Sequence, residues 1–175
     1  MRRVAAAAEN LSKPNCKMKN HFATFALLPL FEIDLDVLEK KYLEFQKQFH
    51  PDKSSTSDIE KSISVNEAYN ILQNPLTRAS HILQLHGIDL ENDSNAPKVD
   101  TATLIEVLEL REKIFESDFS ATEILKKDLN LKIKSLLQES VVSLDRQDFT
   151  TAAQILIKAK YFDKTLRDLK AKNNK

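Results

Sequence analysis

The sequence predicts an all-α fold made of two helical units. Glycine occurs once in the 175 residues, at Gly87, while residues that favour helix, such as Leu, Lys, Glu, Ala and Gln, are frequent. Apolar residues recur three and four positions apart, and capping residues stand where these patterns begin. A polar segment over residues 88–99 interrupts the patterns. We therefore expect a helical N-terminal unit over 20–87, a linker over 88–99 and a three-helix bundle over 100–175.

Composition excludes several classes of function. Lys+Arg and Asp+Glu balance at 26 each, so the chain as a whole carries no charge that would attract nucleic acid or an acidic membrane. No apolar run approaches the ~20 residues that cross a bilayer. A single glycine excludes phosphate-binding glycine loops and dinucleotide folds. The single Cys16 can form neither an internal disulfide nor a paired-cysteine zinc site, and it indicates a reducing compartment.

Residues 1–19 differ from the rest and are expected to form a disordered extension. They include Arg2 and Arg3 and no acidic residue before Glu9. Two interpretations stay open: a mitochondrial presequence, or sequence upstream of a true start at Met18. The second is preferred because the segment has no clear amphipathic stripe.

The first two helices follow from apolar spacing. Phe22, Phe25 and Leu28 predict a short first helix that ends near Pro29. Asp34 is a favourable N-cap for the second helix. The apolar side chains of the second helix, at i, i+4, i+7 and i+11, form one stripe of Leu38, Tyr42, Phe45 and Phe49.

Two more helices complete the N-terminal unit. Ser57 and Glu60 form a capping box that starts the third helix. Its predicted buried stripe is Val65, Ala68, Tyr69 and Leu72. Asn74 as N-cap and Pro75 at the first helical position open the fourth helix, and Gly87 supplies the left-handed residue that ends it.

The histidines of this unit are not predicted to bind a metal. His81 and His86 lie on the fourth helix or near its end, and we expect them at the surface or in a cap. His21 stands at a helix start, and the sequence indicates no partner for it.

Three longer helical patterns fill the C-terminal unit. The first runs from Asp100 to Glu116, the second from a capping box at Ser120 and Glu123 to about residue 144, and the third over about 150–171. Because the connections are short, neighbouring helices should be antiparallel, which gives a three-helix bundle.

The tripeptide His50-Pro51-Asp52 lies between the second and third helices. Pro51 breaks the helix, so His50 and Asp52 project from a rigid corner and not from a helix face. Neutral His50 can donate and accept a hydrogen bond at once, and Asp52 can accept hydrogen bonds or pair with a cation. The lysines around this corner give it a positive character that suits an acidic partner: Lys40, Lys41, Lys47 and Lys53.

Two other interpretations of the tripeptide are open. It can be a plain helix stop with a turn, and the protein then a structural adaptor in which the tripeptide is idle. It can also be the His/Asp dyad of a helical hydrolase, but no nucleophile or metal cluster accompanies it. The capped, lysine-bearing helix before it and the capped helix after it favour a recognition corner, so no catalytic residue is assigned.

Two helices joined by a loop that begins His-Pro-Asp resemble a J-domain, and the resemblance extends further. The segments FATFALLP, FQKQFHPDK, NEAYNILQNPLTRASHILQLHGIDL and ELRE, in this order, resemble the HscB family of iron–sulfur co-chaperones over about residues 20–170. This chain departs from the family pattern near its first helix. Family members commonly carry Gly and then Leu-Pro where this chain has Ala26, Leu27 and Leu28, with its proline one place later at Pro29. Members with paired zinc-binding cysteines also differ, since this chain has only Cys16.

The resemblance implies a non-enzymatic function with two partners. The J-domain, through His50-Pro51-Asp52 and its lysines, would stimulate the ATPase of a DnaK/HscA-class chaperone. The bundle would deliver an IscU-type iron–sulfur scaffold and promote transfer of its cluster, while the co-chaperone binds no cofactor, cluster or nucleotide itself. A J-protein that delivers a different client is the alternative. The absence of paired cysteines favours a bacterial, cytoplasmic member over one from the mitochondrial matrix.

The helix from Asp100 carries more apolar surface than one core needs. Val107, Leu110 and Ile114 form a sufficient core stripe, which leaves Leu104, Ile105 and Leu108 as a second strip. From the pattern alone, the alternative that this helix is buried on two sides stays open. The resemblance implies that the strip faces the scaffold together with Glu109, Arg111, Glu112, Glu116 and Tyr161.

Overall fold

The computed structural model describes residues 19–48, 56–91 and 96–172, and within these ranges it contains seven α-helices and no strand. The all-α prediction is therefore confirmed. The chain divides into two compact units, Met1–Ile88 and Asp89–Lys175, so that the division falls at the start of the predicted linker. The helices are α1 (His21–Thr24), α2 (Leu35–Gln48), α3 (Thr56–Gln73), α4 (Pro75–Leu85), α5 (Thr101–Glu116), α6 (Phe119–Asp145) and α7 (Phe149–Lys172).

Helix α3 is central in the N-terminal unit and packs against α1, α2 and α4. Phe22, Phe25, Leu38, Leu72 and Leu83 are almost completely buried in this core, and burying a side chain of this size stabilises a fold by about 1.5–3 kcal/mol. No described helix of either unit is both long enough and apolar enough to span a membrane.

Several predicted helix starts are confirmed by their capping bonds. The Asp34 carboxylate accepts the backbone N–H groups of Asp36 and Val37, and the Asn74 side chain accepts those at the start of α4. Asp100 caps α5 in the same way. Each of these oxygens satisfies a donor that the first helical turn leaves unpaired.

Two predicted helix starts are wrong by one or two residues. Helix α6 begins at Phe119, and its N-cap is Asp118, which accepts the N–H of Ala121; Ser120 lies inside the first turn. An aspartate caps as well as a serine does, and its charge also suits the positive end of the helix. Helix α3 already includes Thr56, so Ser57 lies within its first turn.

The first helix is shorter than predicted, because the chain turns at Ala26. Helix α1 ends at Thr24, and Leu28, predicted on its stripe, is 59% exposed. Ala26 has a φ of 48°, in the left-handed region. This is the position at which members of the resembling family commonly carry glycine.

Three helices end in the same way, with one left-handed residue and a pair of reversed hydrogen bonds. After α4, Gly87 has a φ of 85°, and Gly87 and Ile88 donate back to Gln84 and Leu83 at 3.0 Å each. This is a Schellman motif. The same two bonds recur around Ala26 after α1 and around Gln147, with a φ of 61°, after α6. Glycine therefore occupies only one of these three left-handed positions.

His81 is not a surface residue, which corrects the prediction. It is 3% exposed, and its Nε2 accepts the backbone N–H of His21 at 3.1 Å. The two imidazole rings lie 4.6 Å apart, and burial lowers the pKa of His81 below its usual value. His86, by contrast, donates from Nδ1 to the Ile82 carbonyl at 2.9 Å near the end of α4, as a capping residue does.

The C-terminal unit is built around α7, which packs along α6 and against α5. Small residues at Ala152, Ala153 and Ala159 are fully buried and allow the helices to approach closely. Ser140 of α6 is also fully buried, and its hydroxyl donates to the Ala152 carbonyl at 3.0 Å. Helix α7 also buries Leu156, Phe162, Leu166 and Leu169 in this core.

Candidate interaction surfaces

The predicted chaperone-binding corner lies outside the described residues. His50, Pro51, Asp52 and Lys53 fall between residue 48, where α2 ends, and residue 56, where α3 begins. The structure does describe α2 and α3, the helices that precede and follow this segment.

Polar and aromatic contacts hold α2 against α3 on the approach to the corner. The Asn66 side chain of α3 accepts hydrogen bonds from the Tyr42 hydroxyl at 3.0 Å and from Gln46 Nε2 at 2.6 Å. Tyr42 also stacks on Tyr69, with the ring centroids 4.0 Å apart. These contacts fix the separation of the two helices one turn before α2 ends, as presentation of a rigid corner requires.

The three lysines of α2 fall into two groups. Lys40 and Lys47 are exposed, in keeping with a role in binding an acidic partner. Lys41 is only half exposed, and its ammonium donates to the Phe25 carbonyl at 2.5 Å. A contact between Lys41 and a chaperone would have to compete with this bond, which ties α2 to the end of α1.

Helix α5 presents its second apolar strip to solvent. Thr103 and Val107 are the residues that it buries. Leu104, Ile105 and Leu108 are 39%, 51% and 59% exposed. The alternative that α5 is buried on two sides is therefore wrong for the C-terminal unit. Leu110 and Ile114, predicted with Val107 in the core, are half-buried.

The predicted scaffold-facing residues of α5 lie in two adjacent rows along the helix. The first row is Leu104, Leu108 and Arg111, and the second row is Ile105, Glu109, Glu112 and Glu116. Residues spaced by four and three positions lie above one another on a helix, so each row is continuous. All seven side chains are exposed. The rows combine an apolar centre with an acidic flank.

Two ion pairs set α5 in register with α7 and place Tyr161 beside the first row. Asp100 pairs with Lys158 at 2.5 Å, and Arg111 pairs with Asp168 at 3.4 Å. The partners are separated by nearly the same number of residues, so the two helices run parallel. By this register Tyr161, which is 38% exposed, lies level with Leu104. Tyr161 therefore joins the apolar centre from the neighbouring helix.

The first ion pair also perturbs the acid that forms it. Hydrogen bonds from Lys158 and Thr103 hold the pKa of Asp100 well below its usual range, at about 2. Asp100 thus remains ionised in the folded protein under any physiological condition, and it serves as both the cap of α5 and its link to α7.

An ion pair joins α5 to α6 on the side of α5 opposite the first row. Glu106 pairs with Lys132, whose ammonium lies 4.4 Å from the centre of the Phe162 ring. This cation–π contact covers the aromatic residue at the edge of the core. In the part of the chain that the structure describes, no three His, Cys, Asp or Glu side chains are grouped as a metal site would need.

Sequence reasoning missed one large exposed side chain on α5. Phe115 is 79% exposed, and Phe119, at the start of α6, is 77% exposed. The spacing of Phe115 from Leu108 is seven residues, the repeat of one helix face, and this signal was available in the sequence.

Comparison with known proteins shows what this chain is similar to. A family model described as the HSCB C-terminal oligomerisation domain matches residues 99–170. The structure of the human co-chaperone protein HscB is similar at a TM-score of 0.79 and 27% identity, covering 90% of this chain and 83% of that one. Chaperone HscB from Vibrio cholerae matches at 0.75 and 25%, covering 89% and 98% of the two chains.

A third solved structure, the Jac1 co-chaperone from Saccharomyces cerevisiae, matches at a TM-score of 0.72 and 25% identity, covering 86% of this chain and 91% of that one. The fold thus agrees with the J-domain and helical bundle predicted from the resemblance. The family model matches the bundle, and the HscB structures match about nine-tenths of the chain. Together these findings support an HscB-type co-chaperone, whose family is not one of catalytic enzymes.

Proposed function

We propose that this protein acts in iron–sulfur cluster assembly by bringing a cluster scaffold to an ATP-hydrolysing chaperone. Its J-domain stimulates the ATPase of a DnaK/HscA-class chaperone, and its C-terminal unit binds an IscU-type scaffold protein. The chain itself holds neither nucleotide nor cluster. The observation that carries the proposal is the exposure of Leu104, Ile105 and Leu108 on a helix that has already buried its core residues.

The apolar strip fits a specific protein interface. Its apolar side chains, with Tyr161 beside them, form a central anchor, and the acidic residues of the second row form a charged rim. Interfaces concentrate their binding energy in such central aromatic and aliphatic residues. The strip lies on one regular helix, so its side chains are already aligned along a single face.

The chaperone contact rests on the corner between α2 and α3. Lys40 and Lys47 are exposed on α2 and provide positive charge for an acidic partner surface. His50, Pro51, Asp52 and Lys53 are proposed to complete the contact. The bonds of Asn66 to Tyr42 and Gln46 support this proposal, because they hold the hairpin that carries the corner.

A pair of variants tests the two halves of the proposal separately. In the presence of the cognate DnaK/HscA-class chaperone, His50→Gln should abolish stimulation of ATP turnover and leave scaffold binding unchanged. The double variant Leu104→Ser/Leu108→Ser should weaken scaffold binding at least tenfold, or about 1.4 kcal/mol. It should leave the stimulation seen without scaffold unchanged.

Leu131→Ser is the matched control for the double variant. Leu131 is 67% exposed, but it lies on α6 and belongs to neither row. It should bind the scaffold like the wild type. Stimulation by His50→Gln equal to that of the wild type would refute the chaperone half, and equal scaffold affinity of the double variant would refute the scaffold half.

We further propose a cytoplasmic location in a bacterium, with the mitochondrial matrix as the alternative. Sequencing the N-terminus of the mature protein from its natural source distinguishes them. An intact or Met18-initiated product supports the first, and cleavage within the basic segment that contains Arg2 and Arg3 supports the second.

A further inference from the structure

The two rows on α5 are unequal in length. The second row has four members, which follow one another at intervals of four, three and four residues from Ile105 to Glu116. The first row follows the same intervals but stops after Leu104, Leu108 and Arg111. On a regular helix the next member of the first row is residue 115, which lies beside residue 116.

The side chain at this position is suited to continue the apolar centre. Phe115 is 79% exposed, the highest value among the large apolar side chains of the described residues. A phenylalanine side chain that is removed from water contributes more than most residues to an interface. From Leu104 to Phe115 the row spans eleven residues, or about 16 Å at ~1.5 Å per residue, which is a fitting length for the centre of a small interface.

The charges beside the row define what can cover it. Glu109, Glu112 and Glu116 line one flank, and no lysine or arginine interrupts this row. Within the first row itself, Arg111 is already paired with Asp168. The unbalanced charge next to the apolar residues is therefore negative. A partner that covers the first row must carry positive charge where it contacts the acidic second row.

We propose that Phe115 is the fourth anchor of the first row and that it inserts into an apolar patch of the scaffold protein edged by lysine or arginine side chains. This inference rests on the proposed function, since it extends the same surface to the same partner. Under this proposal, the interface includes the C-terminal end of α5 as well as the middle of the helix.

The test compares Phe115→Ala with Phe119→Ala. Phe119 is the same residue type and is 77% exposed, but it belongs to α6 and to neither row. Affinity for the purified IscU-type scaffold is measured by isothermal titration calorimetry at two salt concentrations. We expect Phe115→Ala to weaken binding about tenfold and Phe119→Ala to change it less than twofold. Removing charge with Glu112→Gln/Glu116→Gln should make binding less sensitive to salt.

Each outcome bears on one statement. If Phe115→Ala binds like the wild type while Leu104→Ser/Leu108→Ser does not, the fourth anchor is wrong and the proposed function stands. If both bind like the wild type, the scaffold-binding function itself is wrong. If Phe119→Ala weakens binding as much as Phe115→Ala, the contact involves the end of the bundle and not a row, and the inference is overturned.

Phe115→Lys provides a second readout, should the alanine variant lower the melting temperature. An exposed position accepts a lysine, whose positive charge would oppose the basic edge of the partner. If this variant keeps the wild-type melting temperature and the wild-type affinity, the inference is also overturned.

Discussion

Replacing Ala26 with glycine is expected to stabilise the N-terminal unit. Ala26 has a φ of 48° and an exposed side chain, so the change relieves backbone strain without opening a cavity. For a residue with a Cβ atom, the left-handed conformation is less favourable than the right-handed one by about 1–2 kcal/mol. Glycine loses roughly 0.5–1 kcal/mol more conformational free energy on folding than alanine does. The difference is a net stabilisation of about 0.5–1 kcal/mol.

Gly87→Ala is the matched change of opposite sign in the same unit. Gly87 has a φ of 85°, and a Cβ atom added there would meet nothing within 4 Å. Its cost is therefore backbone strain alone, and it should destabilise the unit by an amount similar to what Ala26→Gly gains. In a unit of this size, 1 kcal/mol corresponds to about 4–8 °C in melting temperature.

Thermal unfolding followed by far-ultraviolet circular dichroism measures both changes. Ala26→Gly should raise the melting temperature of the N-terminal unit by about 4 °C, and Gly87→Ala should lower it by about as much. The reasoning is refuted if Gly87→Ala lowers the melting temperature as expected while Ala26→Gly leaves it unchanged or lowers it. Such a result would mean that the turn after α1 is not strained by its alanine.

Three further predictions concern polar side chains of the same unit that are partly or fully buried. Lys41→Met should lower the free energy of unfolding in urea by about 1 kcal/mol, because the bond to the end of α1 is lost; exposed Lys40→Met is the control and should have no effect. Arg78→Lys should lower the free energy of unfolding by about 1–3 kcal/mol, because the buried guanidinium donates to the Leu72 carbonyl at 2.6 Å and a lysine would not reproduce this bond. The loss is measured as a lower melting temperature, and an unchanged melting temperature would contradict it. The pKa of His81 is lowered by burial, so the unfolded chain binds the proton more readily and stability should fall as pH drops below about 6.5. His81→Asn should flatten this part of the pH–stability curve, and an unchanged slope would contradict the assignment.

Local signals in the sequence were sufficient for most of the fold. Asp34 and Asn74 were predicted as caps, and each accepts the expected backbone bonds. These predictions succeed because a cap and its helix are within four residues of one another. The start of α6 was missed because Asp118 and Ser120 are both good caps, and the choice between them depends on which helical face packs on α7.

Contacts distant in sequence could not be predicted in this way. His81 looked like a surface residue because its partner, His21, lies 60 residues away. The left-handed turn at Ala26 could not be predicted for a different reason. Alanine is disfavoured in the left-handed region, so the residue type does not indicate the conformation that the surrounding hydrogen bonds impose. On α5, helical spacing identified the strip, but only its exposure to solvent in the structure shows that it is not part of the core.

Helix α5 carries the proposed binding surface, yet it is weakly fastened to its own unit. It buries only Thr103 and Val107, and the ion pairs that hold its two ends to α7 are exposed to solvent. Exposed pairs contribute little and are weakened by salt. Its amide protons should therefore exchange with solvent before those of α6 and α7. A partner that covers the two rows would bury the exposed face of this helix. Binding is therefore expected to slow the exchange of the α5 amide protons with solvent.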